Sequence, residues 1–207
     1  MKLKKKVKRF LIILLIVIVA AVGGFVFYEM TNTSKVTIKK ATVLNEIKEY
    51  GYTLKSNKSK AYKKEFANLA TILNSDSVDE EAYLKSITKL FILDFYTLSD
   101  KVANTDVGGV DFIHTDAKTN FLEKAEDTIY KYVENNMYGG RRQSLPTVQD
   151  VTVEDIQNVS FTLNQETDTN AYQVTVSWTY TEENDYQNKA TLTFAHEGKK
   201  LSLVEMK

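Results

Sequence analysis

From Phe10 to Tyr28 the chain reads FLIILLIVIVAAVGGFVFY, nineteen residues without a charge. At about 1.5 Å per residue, a helix of that length matches the roughly 30 Å hydrocarbon core of a bilayer. A helix satisfies its own backbone hydrogen bonds in lipid, and one apolar on every face has no place to be wet. The run is therefore predicted to be a transmembrane helix. Lys2, Lys4, Lys5, Lys6, Lys8 and Arg9 precede it and the first acid, Glu29, follows it. Under the positive-inside rule this puts residues 1–9 in the cytoplasm as a basic leader and everything after residue 28 outside. A cleaved signal peptide shares the basic start, but its apolar stretch is about 7–15 residues and ends in a small-x-small site. Here Val19-Ala20-Ala21 is a poor site, and Gly23-Gly24-Phe25-Val26-Phe27 carries the apolar run past it. The adjacent Gly23 and Gly24 do not form a GxxxG face, so self-association in the membrane is neither indicated nor excluded.

The formal net charge of zero divides into +6 before Phe10 and −6 after it. A net-acidic outer part repels phosphates, which argues against nucleic acid as a partner. The chain has no cysteine and one proline. Disulfide scaffolds, thiolate zinc sites and thiol nucleophiles are excluded. The lysine-rich, cysteine-free composition points to a low-GC Gram-positive bacterium. The sequons at Asn32, Asn57 and Asn158 matter only if the source glycosylates.

Residues 29–57 read as a juxtamembrane stalk and short helix. Ile38, Ala41, Leu44 and Ile47 recur every three residues before Gly51, while the β-branched Val36, Thr37, Ile38, Thr42 and Val43 keep a strand open as the alternative. Residues 58–207 carry the outer domain. Its first helix places Tyr62, Phe66, Leu69, Ala70 and Leu73 on one face. A second opens at Ser77-Val78-Asp79-Glu80, which fits a capping box, and runs through Leu84, Ile87, Phe91, Phe95 and Leu98. Leu90 to Tyr96 is apolar almost all round, which marks this helix as the most buried. A third is predicted from about Asp116 to Met137, with Phe121, Ala125, Ile129, Tyr132 and Val133 inward and Gly139-Gly140 as its stop.

After Pro146 the period changes to two. Val159, Phe161 and Leu163 alternate with polar residues; Tyr172, Val174, Val176, Trp178 and Tyr180 follow after a turn-rich gap over 164–170. Ala190, Leu192 and Phe194, then Leu201 to Val204, complete an antiparallel meander of four strands, with Val148–Val153 as a candidate fifth. Helices first and strands second make an α+β domain, with about three helices on one face of a curved antiparallel sheet of four to five strands. Trp178, Tyr172, Tyr180 and Phe194 are expected to share a core with Phe91 and Phe95.

Three helices followed by a long-stranded meander, over roughly residues 58–205, resemble the cone of the nuclear-transport-factor-like superfamily. A basic leader, one transmembrane helix and such a domain resemble the single-pass scaffold subunit of type IV secretion and conjugation machines. The likeness is one of element order and assigns no role to an individual residue. It implies a non-catalytic envelope protein that binds other envelope proteins in a conjugation or secretion assembly.

Catalytic constellations are sparse. There is no G-x-S-x-G, G-x-x-x-x-G-K-[ST], G-x-G-x-x-G or H-E-x-x-H. His114 and His196, the two histidines, read as partly solvated loop residues, and no metal or cofactor is implied. Asn164, Glu166, Asp168 and Asn170 alternate oxygen ligands as a calcium loop does, but the glycine and terminal carboxylate of such a loop are missing, so a polar hairpin connection is the better reading. Asp94 lies inside the most apolar helix. As a buried carboxylate opposite a tyrosine or histidine it could serve as a general base, as a buried Asp does in enzymes of the cone superfamily; the plainer expectation is a carboxylate at the rim or in solvent. Asp94, Tyr96 and His114 are thus ligand candidates. Arg141 and Arg142, after Gly139-Gly140, are candidates for binding lipid headgroups, wall polymers or carboxylates of a partner. Asp106-Val107-Gly108-Gly109-Val110-Asp111 reads as a tight turn with no chemistry.

Three readings follow: the interaction scaffold, a ligand-binding or enzymatic cone with an open aromatic pocket, and a cell-envelope or cell-division factor of the same architecture.

Overall fold

The computed structural model describes residues 41–207, which belong to a compact unit spanning Lys40–Lys207. The apolar run Phe10–Tyr28 and residues 29–40 of the stalk segment lie outside the described residues, among which no helix is long and apolar enough to cross a membrane.

The chain enters on a short hairpin, β1 (Val43–Ile47) and β2 (Tyr52–Lys55), where a helix was the first expectation. The helical spacing is overridden because Ile47, Tyr52 and Leu54 reach the core only as alternating strand residues. A single 3-10 turn, Lys48–Tyr50, joins the strands and ends at Gly51 in the left-handed conformation, so the predicted glycine stop stands. The hairpin is part of the folded body, which therefore begins well before residue 58.

Helix α1 (Lys60–Leu73) starts at Ser59, whose Oγ accepts from the Tyr62 N–H, and buries Tyr62, Phe66, Leu69 and Leu73. Helix α2 (Glu80–Phe95) is capped by Asp79, which accepts from Ala82 N–H, not by Ser77 as the capping-box reading had it. A carboxylate one residue before the helix serves the orphan N–H directly. As predicted, Leu90–Tyr96 is buried without a break. Helix α3 (Lys118–Asp127) is shorter than the predicted 116–137. Past Thr128 the chain leaves the helix, so the apolar positions no longer follow helical spacing: Tyr130 is fully buried and Tyr132 is exposed.

The remaining strands, β3 (Val148–Leu163), β4 (Glu166–Tyr180), β5 (Lys189–Glu197) and β6 (Lys200–Met206), form one antiparallel sheet in sequential order. The candidate fifth strand and the Val159–Leu163 strand are a single β3, kept continuous through three bulges that reset its alternation. The expected gap at 164–170 closes to Asn164-Gln165, both at positive φ, with Leu163 already paired to Glu166.

The fold is α+β, three helices against a four-stranded antiparallel sheet. Between the layers Val174, Val176, Trp178, Leu192, Phe194 and Leu203 meet Phe91 and Phe95 of α2. Phe95 packs within 5.4 Å of Phe91, Tyr96, Phe121 and Tyr130, and the Tyr96 and Trp178 rings lie 4.2 Å apart. Each fully buried ring of this size contributes about 1.5–3 kcal/mol, and without disulfides this cluster carries much of the stability. Tyr172 and Tyr180, expected inside, sit half-buried at its margin.

Candidate functional site

Asp94 is buried at 7% exposure, not at a rim or in solvent. Helical phase forces this: the last turn of α2 faces inward on every side. Its carboxylate forms ion pairs with Lys58, ahead of α1, and at 2.8 Å with Lys101, beyond α2, and accepts from the Gly109 N–H at 2.9 Å. Lys101 is itself buried and also bonds Asp100. Burial alone would raise the Asp94 pKa, but Lys101 and Lys58 hold it well below the usual carboxylate range. Burial likewise opposes the charge on Lys101, and Asp94 with Asp100 outweighs it.

The loop after α2 closes over this centre. Gly108 lies so near the helix end that a Cβ would sit 2.3 Å from the Asp94 carbonyl oxygen, and Gly109 has a φ of +74° over the Phe91 ring. The Asp106–Asp111 turn is thus a lid packed on Asp94, with a structural use that sequence did not reveal. The buried Tyr130 hydroxyl accepts from Gly108 N–H and donates to Phe95 O. Arg141 is committed to the same region: its guanidinium donates to the carbonyls of Ser99, Lys101 and Glu134. Arg142 is exposed.

Tyr96 packs on Trp178, and its hydroxyl meets the Met206 sulfur, away from Asp94. Burial pushes its pKa up. His114 precedes a 3-10 turn (Thr115–Ala117), where Nδ1 accepts from Asp116 N–H. The five residues singled out by sequence are therefore not one site.

A second cluster forms around His196, which lies in β5 and not in a loop. Its ring bridges Asp168 of β4, at 2.8 Å from Nδ1, and Glu80 of α2, at 2.5 Å from Nε2, while its N–H donates to Asp168. Burial disfavours the imidazolium, but the bonds to Asp168 and Glu80 prevail and raise the pKa. His114 and His196 both line a depression of about 170 Å³ with Phe161 and Asp168. Among the described residues no group of three or more side chains is arranged to hold a metal ion.

A cleft of about 270 Å³ opens between α3 and β6, lined by Phe95, Ile113, Phe121, Ile129, Leu203 and Met206. The sequence pattern turns Phe95, Phe121 and Ile129 inward and puts Leu203 in a strand, whereas Ile113 and Met206 were not singled out. Lys58 was missed because its partner lies 36 residues away, Lys101 because a buried lysine looks like a surface one in sequence, and Tyr130 because a continued helix would have turned it elsewhere. Compared with family models, curated proteins and solved structures, the chain finds no match.

Proposed function

We propose that this is a single-pass, membrane-anchored envelope protein whose outer domain, a cone of the nuclear-transport-factor-like kind, is non-catalytic and binds other envelope proteins as a scaffold component of a conjugation or type IV secretion assembly. The anchor reading rests on the uncharged run Phe10–Tyr28 behind six cations. The observation that carries the interaction reading is the occupancy of the cone interior. Phe91, Phe95, Trp178 and Phe194 fill it, and Asp94, the carboxylate best placed for proton transfer, is neutralised by two lysines. A general base needs a pKa near the working pH and an open approach; Asp94 has a pKa held far below that and a glycine lid.

Crosslinking in native membranes followed by affinity purification tests the reading. Recovery of secretion or conjugation components supports it; recovery of the protein alone, under conditions that crosslink known envelope complexes, overturns it. Wall-synthesis proteins in the eluate would assign the cell-division alternative. The α3–β6 cleft favours a second reading, a small-ligand-binding cone. Phe121→Trp at its wall, titrated with apolar small molecules, supports that alternative if its fluorescence saturates and eliminates it if no compound binds.

A further inference from the structure

The chain enters the domain at the same end that displays its exposed aromatic loop. Thr42 and Ser56 are joined by backbone and side-chain hydrogen bonds. Two residues on, Lys58 reaches Asp94 in the last turn of α2, and Lys101 shares that carboxylate. From Lys101 the loop is braced directly: Arg141 donates to its carbonyl, and Asn136 N–H donates to Val102 O at 2.7 Å. The loop is further closed by Glu134 N–H on the Gln143 side chain, by Gln143 on Tyr132 O and by Arg141 N–H on the Asn136 side chain. Its backbone is therefore held, with Val133 buried, while two tyrosines point outward: Tyr132 is 76% and Tyr138 69% exposed, with Met137 and Val102 exposed beside them. Val43 and Leu44, where β1 begins, are exposed as well.

We propose that this end of the domain is a lipid-docking surface that rests on the anionic outer face of the membrane in which the chain is anchored. The inference depends on the transmembrane reading above. Residues 29–40 are the only chain between the uncharged run and the described domain, and fully extended they span at most about 40 Å. The entry end thus stays within reach of the headgroups. Exposed Tyr with Met matches the amphipathic side chains favoured at the bilayer interface. Lys131, whose Nζ lies 5.6 Å from the Tyr132 ring, and exposed Arg142 supply attraction for anionic lipid, each worth about 1 kcal/mol near such a surface. Glu134, Asp106 and Asp100 are the acids nearby, and Asp100 is paired with Lys101. The Asp106 carboxylate accepts from Val102 N–H, which turns it toward its own loop.

The absence of cysteine allows one dye per molecule. The full chain is reconstituted in phosphatidylcholine–phosphatidylglycerol vesicles with a nitrobenzoxadiazole dye on Met137→Cys or, as control, on Val78→Cys. Val78 precedes α2, at the opposite end of the α1–α2 pair. Docking predicts a blue-shifted Met137→Cys dye, quenched several-fold more by nitroxide lipid than the Val78→Cys dye, with the difference abolished by Tyr132→Ser plus Tyr138→Ser. Equal quenching in vesicles that retain the chain through alkaline carbonate overturns docking and leaves the anchor standing. Release of the chain by carbonate overturns both. Rapid disulfide pairing of Met137→Cys chains, with no lipid quenching, overturns docking in favour of a second copy as the occupant.

Discussion

Helix α2 is tied at both ends by ionic clusters, and the two differ in depth. At its carboxyl end Asp94 lies among Lys58, Lys101 and the glycine lid, out of water. At its amino end Glu80 meets His196, which also bonds Asp168, with side chains between 18% and 45% exposed. A carboxylate in the last helical turn opposes the helix dipole, so Asp94 requires its lysines; Glu80 in the first turn is favoured there. Removing a partner from the deep cluster leaves a charge that water cannot reach. At the shallow cluster solvent takes over most of what is lost. The deep end is therefore a permanent clasp, and the shallow end responds to pH.

The comparison can be broken most sharply at Asp94. Asp94→Ala leaves Lys101 buried with only Asp100 beside it and is expected to cost about 3–5 kcal/mol in urea unfolding. In the wild type the depressed Asp94 pKa makes its contribution complete above the ordinary carboxylate range of about 4 and lost progressively as pH falls through the folded value. Acid unfolding of wild type that begins well above that range would place the sensitive group elsewhere. Next in size, Tyr130→Phe strips the Gly108 N–H and Phe95 O of their shared partner, an expected loss of about 1–3 kcal/mol by the same assay.

The shallow end predicts a smaller effect with the opposite pH sign. His196 has a raised pKa, so its contribution is full below about pH 6.5 and fades as pH rises through the folded value. Thermal unfolding of His196→Gln is expected to differ from wild type by roughly 1 kcal/mol or less at pH 6 and to converge with it at alkaline pH. A constant offset across that range would mean the ring acts by packing alone. Neighbouring arginines give a further contrast. Arg141→Ala removes hydrogen bonds to three carbonyls and is expected to cost about 1–2 kcal/mol, whereas exposed Arg142→Ala should stay within about 0.5 kcal/mol of wild type.

Legibility in the sequence followed periodicity. The α1 face, the buried run of α2 and the alternation of Val174, Val176 and Trp178 could all be read because one element imposed one period over many residues. The reading failed where the period was interrupted. Three bulges hid the continuity of β3, and the departure from helix at Thr128 exchanged the fates of Tyr130 and Tyr132. At the candidate site Asp94 was conspicuous as a charge in an apolar run. The lysines that define its chemistry were not, because a surface lysine and a buried one look alike in sequence.

By itself the sequence determined the α+β order of elements, the aromatic character of the core and the uncharged run that grounds the proposed anchor, since each is a property of contiguous composition and spacing. Only the tertiary structure decided that Asp94 is a clasp, that His196 bridges α2 to the sheet and that Arg141 braces a loop whose tyrosines face outward. Those assignments depend on which distant residues meet, and ion pairing, desolvation and exposure come into being only when they do.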